Sequence, residues 1–247
     1  MNSTKIDPKY ITKSNPRIGL IALASDFMIE RDFINVIKDR EVDSFVNRIE
    51  CYNPLTKENL IKMSNKVTEV TKDILPDQDI DCVVYGCTSG TIAMGESLIT
   101  SKVHKKKPEA LITTPITAAI KAFKKLNLKN IAVLTPYPKD VNLTVFNYLK
   151  EKNLKIDSFH SFNLDYDSEI AQVSLDCLLD EISKIDLKTV DGLFVSCTAL
   201  KIVEILEKVE KKFNTTVVSS NQAIIWDCLR LLNMNIEVKG YGKLFQK

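Results

Sequence analysis

The chain repeats itself. Three strand-to-helix junctions in its first half have counterparts in the same order in the second: RIGLIAL with NIAVLTP, DCVVYGCTSGTIAMGE with DGLFVSCTALKIVEIL, and EALITTPITAAIKAF with TTVVSSNQAIIWDCL. The offsets are close to constant, at 113 residues for Ile18 and Ile131, 110 for Cys87 and Cys197, and 106 for Pro115 and Asn221. Any two βα units share an apolar strand and a polar turn. Three ordered matches, with Cys-Thr kept in both copies of one, are what a duplicated α/β half with small loop changes would give.

Within each half, short Val/Ile/Leu-rich runs alternate with longer segments of helical period, the pattern of βα units on a parallel sheet. The strands expected are Ile18–Ala24, Arg48–Cys51, Cys82–Gly86, Leu111–Thr114, Ile131–Thr135, Lys155–Phe159, Gly192–Ser196 and Thr216–Ser219. Helices are expected over Glu30–Asp39, Thr56–Leu75, Thr91–Val103, Thr117–Leu126, Asp140–Lys152, Ser168–Ile185, Leu200–Phe213 and Gln222–Leu232. The fold class is therefore α/β, with two pseudo-symmetric, Rossmann-like lobes of parallel sheet. The first lobe is placed over residues 17–115 plus 221–247, its C-terminal helix crossing back, and the second over 116–220.

No apolar run approaches the roughly 20 residues needed to span a bilayer, and the N-terminus MNSTKIDPKYITKSNP lacks the apolar stretch of a secretory signal. A cytoplasmic location with six free thiols is expected. With 34 basic and 32 acidic residues there is no electrostatic reason to expect nucleic acid or a membrane surface as partner. The one basic cluster, Lys102 to Lys107, reads as a solvated helix end.

Two similar lobes turn the carboxyl ends of their strands toward a common cleft, where ligands of such folds bind. That lining is expected from Ser25–Asp26, Cys87–Ser89, Pro136–Tyr137, Cys197–Ala199 and Asn221. In DCVVYGCTSGT the apolar run ends at Gly86 and the chain turns into a helix, which puts Cys87 at a helix N-terminus. Unpaired N–H groups and the dipole there favour thiolate and lower its pKa. The same N–H groups, with the Thr88 and Ser89 hydroxyls, can hold a carboxylate or a developing enolate oxygen. Cys197 and Thr198 repeat the arrangement.

Two thiols on opposite faces of one bound carboxylate permit two reactions. One removes the α-proton while the other reprotonates from the far side, which inverts the centre without a cofactor. Alternatively, one thiolate adds to an activated double bond, which rotates before elimination, converting a cis-enedioate to the trans form. Spacing does not separate them. A thiol–disulfide protein and a non-catalytic ligand sensor are the competing classes, but no CxxC occurs and both thiols are retained. Cys82, Cys177 and Cys228 lie in apolar patterns and read as buried and inert; Cys51 is also read as inert. With only His104 and His160, a Cys–His pair or His-rich metal site is not expected. Neither is a phosphate-binding cofactor, as no GxGxxG or GxxxxGK[ST] occurs.

With both Cys-Thr motifs in place the chain resembles the aspartate/glutamate racemase superfamily, in its branch of maleate cis-trans isomerases and arylmalonate decarboxylases. The residues that carry the resemblance, from Arg17 to Phe245, are RIGLIALASDFMIERDF, YGCTSGT, TTPITAA, LTPY, SCTAL, SSNQAIIWDCLRL and GYGKLF. IALASDFMIERDF, NPLTKENL, YGCTSGTIAMG and TPITAAIKAF are most similar to the ectoine-utilisation protein A group. That group is implicated in ectoine breakdown, which implies an amino-acid derivative as substrate. The resemblance implies Cys87 and Cys197 as the catalytic pair, Thr88, Ser89 and Tyr137 as a carboxylate pocket, no cofactor, and a homodimer; Ser25, Thr198 and Asn221, from the expected cleft lining, are placed beside the substrate. Arylmalonate decarboxylases keep only the second cysteine, so retention of both argues against that activity.

Maleate isomerases carry Asn where this chain has Asp26, and Asn where it has Asp167. An ionised Asp within about 4 Å of a substrate carboxylate repels it by roughly 1 to 4 kcal/mol, so these positions suit an ammonium or amide N–H instead. Asp26 equally suits the ordinary role of a helix cap, and Asn221 reads as a cap ahead of the last helix.

Overall fold

A computed structural model describes residues 3–11 and 14–247. Its first half runs β1 (Arg17–Leu23), α1 (Ile29–Ile37), β2 (Asp43–Ile49), α2 (Lys57–Lys62), α3 (Ser64–Lys72), β3 (Cys82–Gly86), α4 (Thr88–Met94), α5 (Glu96–His104), β4 (Leu111–Thr113) and α6 (Pro115–Leu126). The second runs β5 (Asn130–Thr135), α7 (Lys139–Glu151), β6 (Lys155–Ser161), α8 (Asp167–Ile170), α9 (Leu175–Lys184), β7 (Gly192–Val195), α10 (Leu206–Phe213), β8 (Val217–Ser219) and α11 (Ser220–Leu231). The two sheets are all-parallel and ordered alike, β2-β1-β3-β4 and β6-β5-β7-β8. The duplication read from the sequence is thus a duplication of topology.

The last helix of each half packs on the sheet of the other. Phe123 of α6 meets Phe194 of β7 edge-on, ring centroids 5.3 Å apart. On α11, the Cys228 sulfur lies 3.6 Å from that of Cys82 on β3, and Asp227 accepts from the Thr113 hydroxyl at 2.6 Å and pairs with Lys121 at 2.7 Å. Ser219 caps α11 by accepting from Gln222 N–H at 3.2 Å. The exchange joins both lobes through one continuous apolar core, which fixes the relative position of the strand ends that carry the site.

Several sequence expectations need correction. The second strand is Asp43–Ile49, not Arg48–Cys51: β2 is a half-exposed edge strand whose polar residues hide the apolar run. The helix expected over Thr91–Val103 starts at Thr88 and is cut at Gly95, where φ of +82° is open to glycine at no steric cost. The Thr56–Leu75 segment breaks at Met63, and the Ser168–Ile185 segment breaks before Ser174, which caps α9 through Cys177 N–H. Cys177 is therefore exposed in the first turn of α9, whose buried face is Leu178 and Ile182. Lys107 is not solvated either: it is buried, and its ammonium donates to the Leu75 and Gln78 carbonyls at 3.0 and 2.6 Å. Among the described residues no helix is long and apolar enough to cross a membrane.

Candidate active site

Cys87 follows β3 directly and is the N-cap of α4, its sulfur accepting from Gly90 N–H at 3.2 Å with the Ser89 hydroxyl 4.0 Å away. Glycine is required at position 90, because a Cβ there would lie 2.8 Å from the Cys87 sulfur and 3.2 Å from the Tyr85 hydroxyl. The first N–H groups of α4 have no intrahelical acceptor, which leaves those of Thr88 and Ser89, beside Cys87, available as donors.

Cys197 follows β7 but does not repeat this geometry. No helix starts at Thr198; the chain makes a turn, a 3-10 segment at Val203–Ile205, and only then α10. Cys197 itself has φ of +122°, a strained region for a residue with a side chain, held only where the surroundings over-determine it. The hold is Ser220, whose hydroxyl oxygen accepts from Cys197 N–H at 3.0 Å and from the Thr88 hydroxyl at 2.9 Å. One fully buried serine therefore ties the two cysteine-bearing turns together. Sequence reasoning missed it, although it sits directly before Asn221 in SSNQA.

The structure brings the other expected residues to the same place. The Tyr137 phenol is buried and, among the described residues, has no hydrogen-bond partner; burial first, then Cys197 beside it, push its pKa up. The Thr198 hydroxyl donates to the Gly86 carbonyl at 3.3 Å, across from one lobe to the other. Asp26 lies two residues before Met28, the N-cap of α1, and holds that helix start, one carboxylate oxygen accepting from Met28 and Ile29 N–H at 2.6 and 2.9 Å, while its second oxygen is buried and has no hydrogen-bond partner among the described residues. Asp167, at the start of α8, accepts from the Ser25 hydroxyl and, through its N–H, reaches Asn53 at 3.3 Å. Burial raises the pKa of both carboxylates, and Asp26 adds to the rise at Asp167. Arg48, the nearest cation, is committed to Glu30 and to the Leu23 and Asp26 carbonyls. Cys51, read as inert, is half-buried at the same cleft, within the field of Asp167 and in contact with Ser25.

Asn221 is not the cap of α11. Its amide donates to the Thr198 carbonyl at 2.7 Å and to Asp32 on α1 at 2.8 Å, and so supports the Cys197 turn from behind. Asp32 is fully buried, and desolvation raises its pKa from 3.8 to about 7. The folded protein then holds a proton that the unfolded chain releases between these values, so stability is highest on the acid side. It falls by up to about 1.4 kcal/mol per pH unit through that window. Asp32→Asn, which can still accept from Asn221, should be more stable than the parent at pH 8 and should flatten the slope of melting temperature between pH 5 and 8. An unaltered slope would show that Asp32 is ionised throughout.

The electrostatics overturn the expectation of low-pKa thiols. Burial pushes Cys87 well above the ordinary thiol range, with Cys51 and Asp167 adding to the rise and the Gly90 N–H only partly opposing it. Cys197 is raised in the same way, by burial, then Asp167 and Asp26, against the Ala199 N–H. At both cysteines, 3% and 7% exposed, burial thus favours the thiol over the thiolate. A depression of about 760 Å³ outside the cleft is lined by Lys57, Lys139 and the loops that carry Pro54 and Tyr166. Those loops are joined across the lobes by Leu55 N–H donating to the Asp165 carbonyl at 2.8 Å.

This two-lobed arrangement is shared with known proteins. Maleate isomerase of Nocardia farcinica is 21% identical over 242 residues, covering 94% of this chain and 96% of that protein. Arylmalonate decarboxylase of Bordetella bronchiseptica is 29% identical over 138 residues, 55% of this chain and 58% of that one. Among solved structures, the Nocardia farcinica maleate cis-trans isomerase in a cysteine-to-serine variant with a covalently bound succinylcysteine intermediate superposes with a TM-score of 0.86 at 20% identity, covering 94% of this chain and 99% of that one. A liganded arylmalonate decarboxylase double variant gives 0.81 at 24% identity, covering 93% and 98%. These structural likenesses show a common fold. The family model for arylmalonate decarboxylase matches residues 46–245, most of the chain including both cysteine turns, and the protein belongs to that family, in the branch it shares with the maleate isomerases.

Proposed function

We propose that the protein is a cofactor-independent isomerase in which Cys87 and Cys197 act from opposite sides on a small unsaturated carboxylate, converting a cis double bond to trans by thiolate addition and elimination. The observation that carries this reading is the convergence of two buried thiols on one cleft that also holds the unpaired Tyr137 phenol and the free N–H groups of Thr88 and Ser89. The covalent succinylcysteine of the Nocardia relative supports addition over simple proton transfer. Cys87 is assigned as the nucleophile: it caps α4 with the Gly90 N–H donating to its sulfur, and of the two acids that act on Cys197, Asp167 and Asp26, only Asp167 acts on Cys87.

The steps balance without an outside reagent. Cys87 first gives up its proton to solvent as the substrate enters; the thiolate forms a C–S bond to one alkene carbon, the π bond breaks, and the charge moves onto a carboxylate held by the α4 N–H groups and Tyr137. Cys197 delivers its proton to the other carbon. Rotation about the new single bond, return of the proton to Cys197 and cleavage of the C–S bond release the trans product and restore both sulfurs.

A second reading is racemisation of an amino-acid derivative of the ectoine-degradation type, and the carboxylates favour it. Asp26 and Asp167 bring two acidic groups and no directly paired cation to the cleft, and the free Asp26 oxygen suits an ammonium or amide N–H. NMR in D₂O with maleate and a panel of acylated and free amino acids separates the two: fumarate formation reports cis-trans isomerisation, and α-deuteration reports racemisation. Replacing both acids, Asp26→Asn with Asp167→Asn, should shift relative kcat/KM toward the dianion by roughly five- to 900-fold, from the loss of about 1 to 4 kcal/mol of repulsion. Unchanged selectivity would mean that neither carboxylate meets the substrate.

A further inference from the structure

Tyr85 lies in the apolar run CVVYG of β3, buried on all sides, where a phenylalanine would pack equally well. Its hydroxyl is fully enclosed and has no hydrogen-bond partner among the described residues. Enclosed hydroxyls are almost always paired, so an orphan beside a reactive group calls for a cause. Thiols act on it: after burial, Cys87 does most to raise its pKa, followed by Cys51. A Cβ added at Gly90 would lie 2.8 Å from the Cys87 sulfur and 3.2 Å from the Tyr85 hydroxyl, so the two border the same small space beside that glycine. Tyr137 serves the same cleft from the Cys197 side, so each lobe presents one phenol.

We propose that Tyr85 is a positioning residue for Cys87, its phenol O–H donating to the sulfur when that thiol becomes a thiolate. A neutral thiol is a weak acceptor and leaves the hydroxyl idle, whereas a thiolate accepts a charge-assisted bond about twice as strong as a neutral one. The bond is thus made only in the reactive state and favours it selectively. With the Gly90 N–H it gives the buried anion two donors in place of the water it has lost. The proposal rests on Cys87 being the reacting thiol, but its consequence for the sulfur can be measured without turnover.

The test is the rate of iodoacetamide alkylation of each cysteine in Tyr85→Phe at fixed pH, read by peptide mass spectrometry, alongside kcat, KM and melting temperature. Because the thiolate alone reacts, the Cys87 rate should fall by about 10- to 100-fold, the loss of one hydrogen bond to a charged group. Cys197, reached through the same cleft, should be unaffected. A ring-fluorinated tyrosine at position 85, a stronger donor of nearly the same shape, should raise the Cys87 rate. Turnover should fall through kcat with KM little changed, and melting temperature should hold or rise. An unchanged Cys87 rate in both variants overturns the proposal, as does a fall confined to Cys51, which would make that thiol the partner. If the Cys87 rate falls but Cys87→Ser retains full turnover, Tyr85 positions the sulfur as proposed and the catalytic reading of Cys87 fails.

Discussion

Cys87→Ser and Cys197→Ser should each lower turnover by about 10²- to 10⁴-fold, the range for removing a positioned acid, base or nucleophile, with the fold retained. The two losses should not add, because the sulfurs act in one sequence of steps: the double variant should be scarcely worse than either single one. The variants should also differ in kind. Cys197→Ser keeps the proposed nucleophile but loses the thiol that takes the proton back, so once water has slowly protonated the adduct it should accumulate, at substrate mass, on the Cys87 peptide. Cys87→Ser should accumulate none. Turnover within tenfold of the parent in either variant would exclude a two-thiol mechanism, and an adduct on Cys197 would reverse the roles assigned.

Ser220→Ala should be the most damaging substitution outside the reacting groups. The serine oxygen accepts from both Cys197 N–H and the Thr88 hydroxyl in a region with no access to water, and alanine leaves both donors unpaired. At roughly 1 to 3 kcal/mol for each of the two buried unsatisfied groups, the protein should lose about 2 to 6 kcal/mol. For a chain of this length that is a fall in melting temperature of roughly 4 to 24 °C. Activity should fall at least about tenfold as well, because the +122° backbone at Cys197 loses the contact that opposes its strain. Differential scanning calorimetry with a kcat measurement decides the matter. A melting temperature within a degree of the parent would show that the Cys197 turn supports itself.

Much of this architecture is legible in the amino-acid order because it depends on local pattern. Cys82–Gly86 is a strand in both the reading and the structure, since five consecutive apolar or small residues between polar segments can be satisfied by a strand buried on both faces. The two Cys-Thr motifs end the corresponding strands of two sheets with the same order. Where local signals were weak or misleading the reading failed for identifiable reasons. β2 carries too few apolar residues for its run to show, because one edge of it faces solvent. The Leu200 start expected for the second cysteine helix followed apolar spacing, yet Leu200, Ile202 and Val203 are buried in a turn and a 3-10 segment.

By itself the sequence determined the duplicated parallel topology and the placement of one cysteine at the end of a strand in each half, because strand periodicity and repeat spacing are properties of neighbouring residues. Only the tertiary structure decided what those cysteines are. A helix N-terminus predicts a lowered thiol pKa, but desolvation by both lobes together, and the field of Asp167 from the second, outweigh it at Cys87. Likewise Ser220 acquires its relation to both cysteine turns only through the joining of the lobes. Burial and field at a point depend on everything within a few ångströms of it, and in this fold much of that comes from the other half of the chain.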